Sequence, residues 1–455
     1  MKHVLLVLAF AVSVAAPPCV ARASAADKKM TALDLIALAH RDPARLRPAL
    51  VTAFTEEAIK NGKAVLGRGE HFIWAVESAT RPTLLLDEHP GPLMRKIPGS
   101  HTWYAIGTYA VGTSHAFAYR IAGKPFGGSV NVPAYGPDSY LKPGVPMGTV
   151  SEKLVHTSKI YDGLRSNYWI YVPAQYNPST PAALMVYQDG QTYFPRDDDH
   201  IRALDTIDNL TYEHKIPVMI SVFVSPGDIT QAPESPFYKE MDERVKKMPG
   251  LGPGGRPRMP QNIVRSVEYD TVSDRYARFL RDELIPEVAT KYNIRKDGYS
   301  RGISGHSSGG IAAFNVAWQQ PDQFSRVLSW IGSFMPLQPE PDYGGQAFPA
   351  KIQRDAKRNI RVWLQDGAED QRTWPLQSLN MANSLKLGGY DFHFSYGIGT
   401  HDHAQGSSEL PASLIWLWRD YDPNKTEQVY EMEAAEKAKP LFRVRVYNRD
   451  HGPTS

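Results

Sequence analysis

The pentad Gly305-His306-Ser307-Ser308-Gly309 sets a hydroxyl between two glycines, after a short apolar run and before an apolar helical pattern. A serine on a sharp strand-to-helix turn projects its oxygen clear of the backbone, and glycines leave room for the chain to double back there. A hydroxyl alone is a weak nucleophile. It needs a base within hydrogen-bond reach, and the base needs a carboxylate to hold its tautomer. Both lie downstream. Residues 361–364 read as a strand running into Gln365-Asp366-Gly367-Ala368-Glu369-Asp370, and 391–396 as a strand running into Gly397-Ile398-Gly399-Thr400-His401. The expected chemistry is attack of Ser307 on an acyl carbonyl, with His401 as base and Asp370 as orienting acid. Asp366 and Glu369 compete for the acid role, and His403 is the near rival of His401. His393 sits inside a strand, and His306 lines the elbow because adjacent side chains diverge.

The oxyanion of such a reaction needs two N–H donors already aimed at it. Ser308, the residue after the nucleophile, supplies one. The second comes from a loop after an early strand, and 184–188 runs into Asp189-Gly190-Gln191, so the amide of Gly190 or Gln191 fills that role. Tyr193, Phe194, Tyr269 and Trp374 fall on or near loops at the same edge; such rings stack on an aromatic acyl group or a sugar. The runs Arg196-Asp197-Asp198-Asp199-His200 and His401-Asp402-His403 carry oxygen and nitrogen donors without three well-spaced ligands. No metal and no cofactor is expected.

Strands must carry these residues to a common edge. Short apolar runs at 153–161, 168–172, 183–188, 218–224, 327–331, 361–364 and 392–396 read as strands, with helical patterns between many of them, notably 273–288 and 379–387. The run 301–304 ends a further strand at the pentad. The helix after it stops at Gln320-Pro321. This alternation predicts an α/β fold with a mostly parallel sheet covered on both faces and the site at its carboxyl edge. Trp416 and Trp418 lie on a helical pattern as packing residues.

Upstream, 30–62 carries two helical patterns split at Asp42-Pro43. Residues 63–135 alternate in short runs broken by Pro and Gly, which predicts a small β-sandwich. A Pro/Gly-rich stretch at 136–149 reads as a stiff linker. The catalytic domain spans 150–422, and a charged tail, 423–455, either packs back or stays loose. The Gly/Pro segment 248–260 lacks the strand and Lys-Ser/Thr ending of a phosphate loop, and its prolines delete amide donors. It reads as an insertion at the edge of the site, a lid candidate.

Met1-Lys2-His3, a short apolar core and Ala23-Ser24-Ala25 match a signal peptide ending at residue 25, so a secreted or bacterial periplasmic location is expected, with no membrane contact after cleavage. Cys19, the only cysteine, falls within that leader, which leaves no thiol for catalysis or metal binding. Pro17-Pro18 before it fits a lipid-anchor motif poorly. A net charge of +3 over 455 residues asks for no nucleic acid.

Tyr187-Gln188-Asp189-Gly190, Glu268-Tyr269-Asp270, Gly305-x-Ser307-x-Gly309-Gly310, Gly367-x-x-Asp370 and Gly399-x-His401 together resemble the putative-esterase family. That family takes in enterochelin esterases, feruloyl and acetyl-xylan esterases and related mycolyltransferases. The resemblance covers residues 150–421 and implies an α/β-hydrolase fold. It places the triad acid on the Gly-x-x-Asp motif, here Asp370, and the base on Gly-Gly-His, here His401. Thr400 stands where the family often has the second glycine. Phe72-x-Trp74, Trp103 and Tyr119-Arg120-Ile121-x-Gly123 are similar to the early-set immunoglobulin-like domain that precedes some of these esterases. The implied activity is hydrolysis of a small-molecule or carbohydrate ester, feruloyl, acetyl or siderophore-type, through an acyl-enzyme. The alternatives are acyl transfer on the same triad, or a glycan-binding protein with an inactive hydrolase domain.

Overall fold

The computed structural model describes residues 30–196, 201–248, 250, 259–332, 334–335, 344–371 and 373–443. The leader, the Gly/Pro segment at 249 and 251–258, residues 197–200 of the acidic run and the tail beyond 443 lie outside the described residues.

The chain starts with the helix Ala32–Arg41, opened by a reciprocal cap. The Thr31 hydroxyl accepts from the Asp34 amide at 3.2 Å while the Asp34 carboxylate accepts from the Thr31 amide at 2.9 Å. Asp42 ends it and Pro43 restarts the chain, because proline pre-sets the dihedral of a new turn. Strands β1 (Ala64–Arg68), β2 (His71–Glu77), β3 (Thr83–Leu86) and β4 (His89–Pro90) follow. Then come β5 (Arg95–Lys96), β6 (Thr102–Thr108), β7 (Thr113–Ile121) and β8 (Lys124–Ala134). They form two antiparallel sheets, β1-β2-β6-β5 and β4-β3-β7-β8. Successive side chains on a strand point to opposite faces. On β2, Phe72, Trp74 and Val76 meet Leu84, Phe117 and Tyr119 of the other sheet, while Ile73 and Ala75 meet Leu35, Leu46 and Leu50 of the N-terminal helices. Both faces are covered, so β2 lacks polar alternation.

The second unit holds β9 (Thr149–Val150), β10 (Leu154–Thr157), β11 (Arg165–Val172), β12 (Ala183–Gln188) and β13 (Met219–Gly227). It continues with β14 (Arg301–His306), β15 (Arg326–Trp330), β16 (Arg361–Gly367) and β17 (Asp391–Gly397). Their order is β10-β11-β13-β12-β14-β15-β16-β17, with β9 also on β11. From β13 to β17 every pairing is parallel; the pairings of β11 are antiparallel. The sheet is therefore mixed, with a parallel body and an antiparallel edge. Alternation again sorts the layers: on β12, Leu184 and Val186 enter one core, and Ala183, Met185 and Tyr187 the other. Helix Ser308–Gln319 covers the first face, and helices Ala203–Tyr212 and Ala404–Trp418 the second.

One organisational expectation changes and one open alternative closes. The 136–149 stretch is docked on the second unit: Asn209, fully buried, donates to the carbonyls of Asp138 at 2.9 Å and Tyr140 at 2.7 Å and accepts from the Lys142 amide at 3.0 Å. A segment whose backbone groups are spent on another element is a fixed spacer. The tail also packs back, as far as described. Tyr430 is buried with its hydroxyl 2.9 Å from that of Ser325, and the Phe442 ring lies 5.2 Å from Phe394. Among the described residues no helix is long and apolar enough to cross a membrane.

Candidate active site

Ser307 joins β14 to the helix Ser308–Gln319 with φ 56° and ψ −128°. Those angles belong to the first central position of a type II′ turn, where glycine is usual, and they cost a residue with a Cβ about 1–3 kcal/mol. Backbone bonds hold the turn: the Ser307 amide donates to Trp330 O at 3.0 Å, and its carbonyl accepts from Gly310 N at 2.8 Å. A Cβ on Gly305 would sit 2.2 Å from the Gly309 carbonyl oxygen, so the turn closes only with glycine there.

The other two chain ends are set by parallel pairing of β16 and β17, which brings Gly367 opposite Gly397. The pairing continues past the strands, with Ala368 N on Gly397 O at 2.9 Å and Glu369 N on Gly399 O at 3.2 Å. Asp370 and His401 thus leave the sheet side by side. His401 Nδ1 lies 2.9 and 3.0 Å from the two Asp370 carboxylate oxygens, and its Nε2 lies 2.8 Å from Ser307 Oγ. With the proton on Nδ1, the ring donates to Asp370 and accepts from the serine hydroxyl. The Asp370 side chain is fully buried and that of His401 is 14% exposed, so the carboxylate is shielded and the imidazole is reachable.

The structure separates the rivals. Glu369 is exposed. Asp366 is buried, accepts from Gly367 N at 2.7 Å, and is pushed well above the ordinary carboxylate range by burial and by the Asp370 carboxylate. His393 stacks on Trp363 with centroids 4.0 Å apart, and burial lowers it to about 4. His306 is lowered to about 4 by burial, so its ring is neutral; it lies between Tyr193 and His403. Asp402 accepts from Ala404 N at 2.8 Å at the start of the last long helix. Among the described residues no three His, Asp or Glu side chains converge as metal ligands.

Beside the elbow, β12 runs parallel to β14 with Tyr187 opposite Ser304, so the loop after β12 emerges on the elbow's side, and a Cβ on Gly309 would lie 3.0 Å from Asp189 Oδ2. A Cβ on Gly190 would stand 2.3 Å from Phe223 C; only glycine lets the loop pass. Arg265, absent from the sequence reading, fixes this loop. Its Nε and Nη2 donate to the two Asp189 carboxylate oxygens at 2.9 and 2.8 Å, and Nη2 also reaches His306 O at 3.3 Å. One planar guanidinium therefore ties the Gly190–Gln191 loop to the elbow carrying Ser307 and Ser308. Its only sequence signal is its place one helical turn before Tyr269.

The aromatic expectations divide. Trp374 stands at the rim, its ring edge-on to His401 with centroids 4.6 Å apart. Tyr193 and Tyr269 are both fully buried, which removes them as stacking surfaces for a substrate. Tyr193 lies under the site among Tyr187, Phe223 and Trp330, and the Tyr269 hydroxyl accepts from Asp189 N at 3.4 Å. Tyr193 closes the short turn Gly190–Thr192 and Tyr269 ends the helix Pro260–Tyr269, and each ring turns inward because it has a core to fill.

Beneath Tyr269, Glu268 accepts from Gly227 N at 2.8 Å, and burial pushes its carboxyl up to about 8 from 4.5. Between those two values the folded protein holds a proton that the unfolded chain has released, so stability falls as pH rises through the window. Glu268→Gln carries no titrating proton and is expected to flatten the fall in Tm between about pH 5 and 9. Thermal melts across that range check it; parallel curves for the two proteins would contradict the assignment.

Residues 163–417 match the family described as putative esterase. The curated protein YbbA of Bacillus subtilis (strain 168), described as uncharacterized, is 20% identical over 263 residues, which span 55% of this chain and 92% of that protein. Among solved structures, the enterobactin esterase FES from Shigella flexneri is 14% identical, over 77% of this chain and 94% of that one, with a TM-score of 0.49. The feruloyl esterase module from Clostridium thermocellum, solved with sinapinate, is 17% identical, over 63% of this chain and 93% of that one, with a TM-score of 0.43.

Proposed function

This chain belongs to the putative esterase family, and from that premise we propose that it is a serine carboxylic-ester hydrolase working through an acyl-enzyme. The observation that carries the reading is the continuous hydrogen-bonded line from Ser307 Oγ through His401 to Asp370. Ser307 attacks the ester carbonyl while His401 Nε2 takes its proton. The same imidazole then returns that proton to the leaving alcohol, and Asp370 holds the Nδ1–H tautomer and stabilises the imidazolium. The amides of Ser308 and of Gly190 or Gln191 stabilise the oxyanion. Water activated by His401 releases the acid and restores the serine.

For substrate we propose feruloyl or acetyl esters on carbohydrate, or siderophore-type esters; the rim position of Trp374 supports an aromatic or sugar ring beside the reacting carbonyl. The N-terminal sandwich is read as immunoglobulin-like. What supports this is its strand order, which maps onto A-B-E-D in one sheet and C′-C-F-G in the other. Export is proposed from the leader pattern alone.

A fluorophosphonate probe tests the mechanism directly. One equivalent is expected to add, with the mass shift on the peptide carrying Ser307 and loss of p-nitrophenyl acetate hydrolysis in step with labelling. Label elsewhere, with turnover surviving, would reject the proposal. A panel of feruloyl, acetyl-xylan and catecholate ester substrates then ranks the acyl groups.

A further inference from the structure

The loop that presents His401 is held from outside its own domain. Between the end of β17 at Gly397 and the helix beginning at Ala404, Thr400 directly precedes the histidine. Asn131, on β8 of the N-terminal sandwich, grips that residue at two points. Its Oδ1 accepts from the Thr400 amide at 2.9 Å, and its Nδ2 donates to the Thr400 hydroxyl. Gly399 is buried against the same strands; a Cβ there would lie 3.6 Å from Ser114 Oγ and 3.7 Å from Asn131 Oδ1. Thr400 is also where this chain departs from the Gly-Gly-His pattern it otherwise resembles, and the added hydroxyl is the group the carboxamide holds. A glycine would offer only the amide.

We propose that Asn131 is a positioning residue for the catalytic histidine, so that the N-terminal sandwich completes the active site; this rests on the serine-hydrolase reading above. Base catalysis depends on the Nε2–Oγ distance, and a displacement of about 1 Å can cost about 10²-fold in rate. Two bonds from one rigid amide fix the residue before His401 in both position and rotation. Asp370 fixes the ring from its far side.

Kinetics with p-nitrophenyl acetate test the clamp. Asn131→Ala is expected to lower kcat by about 10–100-fold with KM changed by less than about threefold, because the substrate surface is untouched while the base is loosened. Asn131→Asp keeps an acceptor for the Thr400 amide, and the hydroxyl can turn to donate to it, but it sets a second carboxylate against Asp402, which the carboxamide also reaches, so kcat should return only in part. Thr400→Val, which loses only the hydroxyl, should fall between, and it carries the test if Asn131→Ala does not fold. Melting curves accompany each variant. A kcat for Asn131→Ala within twofold of wild type, or a loss that follows the unfolded fraction, would overturn the proposal. Turnover surviving in Ser307→Ala would instead sink the underlying mechanism, so the two failures are distinguishable.

Discussion

Ser307→Ala is expected to lower kcat for p-nitrophenyl acetate by at least about 10⁴-fold while leaving Tm close to wild type. Removal of Oγ deletes the nucleophile without touching the backbone bonds that hold the elbow. Ser307→Gly should be equally inactive yet melt about 2 °C or more above the alanine variant. Ser307 sits at φ 56° and ψ −128°, where a Cβ is strained and glycine is not, so only the glycine variant relieves the cost of exposing the hydroxyl. Stability rising as activity vanishes marks strain kept for function. Kinetics and calorimetry on both variants check this. Wild-type turnover in either, or equal melting temperatures for the two, would contradict the reading of the turn.

Asp370→Asn is expected to cost about 10⁴-fold in kcat. Its side-chain amide can present N–H groups to His401 Nδ1, which favours the tautomer with the proton on Nε2, where it cannot accept from Ser307. The imidazolium formed during attack also loses its counter-charge, in a place where the carboxylate is fully buried and poorly screened. Glu369→Gln, one residue away but exposed, should stay within twofold of wild type. Comparable losses in both variants, or a fully active Asp370→Asn, would reject the acid assignment.

The residues of the hydrogen-bonded line Ser307–His401–Asp370 were legible because each closes a local pattern: an apolar strand, a glycine-bearing turn, then the polar side chain. The positions of Ser307, Asp370 and His401 relative to their own strands follow from that pattern. Parallel pairing of neighbouring strands does the rest. The β-sandwich was legible for a similar reason, since its aromatic runs alternate with a period of two. The helix 203–212 was not. Its face is mixed, and nine of its ten residues are buried, polar Asp208 and Asn209 among them.

Composition and motif settled which residue types could do chemistry and the order in which the chain delivers them. Tertiary structure decided what surrounds them. It buried Tyr193 and Tyr269, turned a proline-rich spacer into a docked segment, and placed an antiparallel edge on the sheet. It also recruited Arg265 and Asn131, whose partners lie 76 and 269 residues away in the chain. No periodicity records such distances. They arise when the hydrophobic faces of separate elements find each other, and the polar groups carried along must then pair or pay the desolvation penalty.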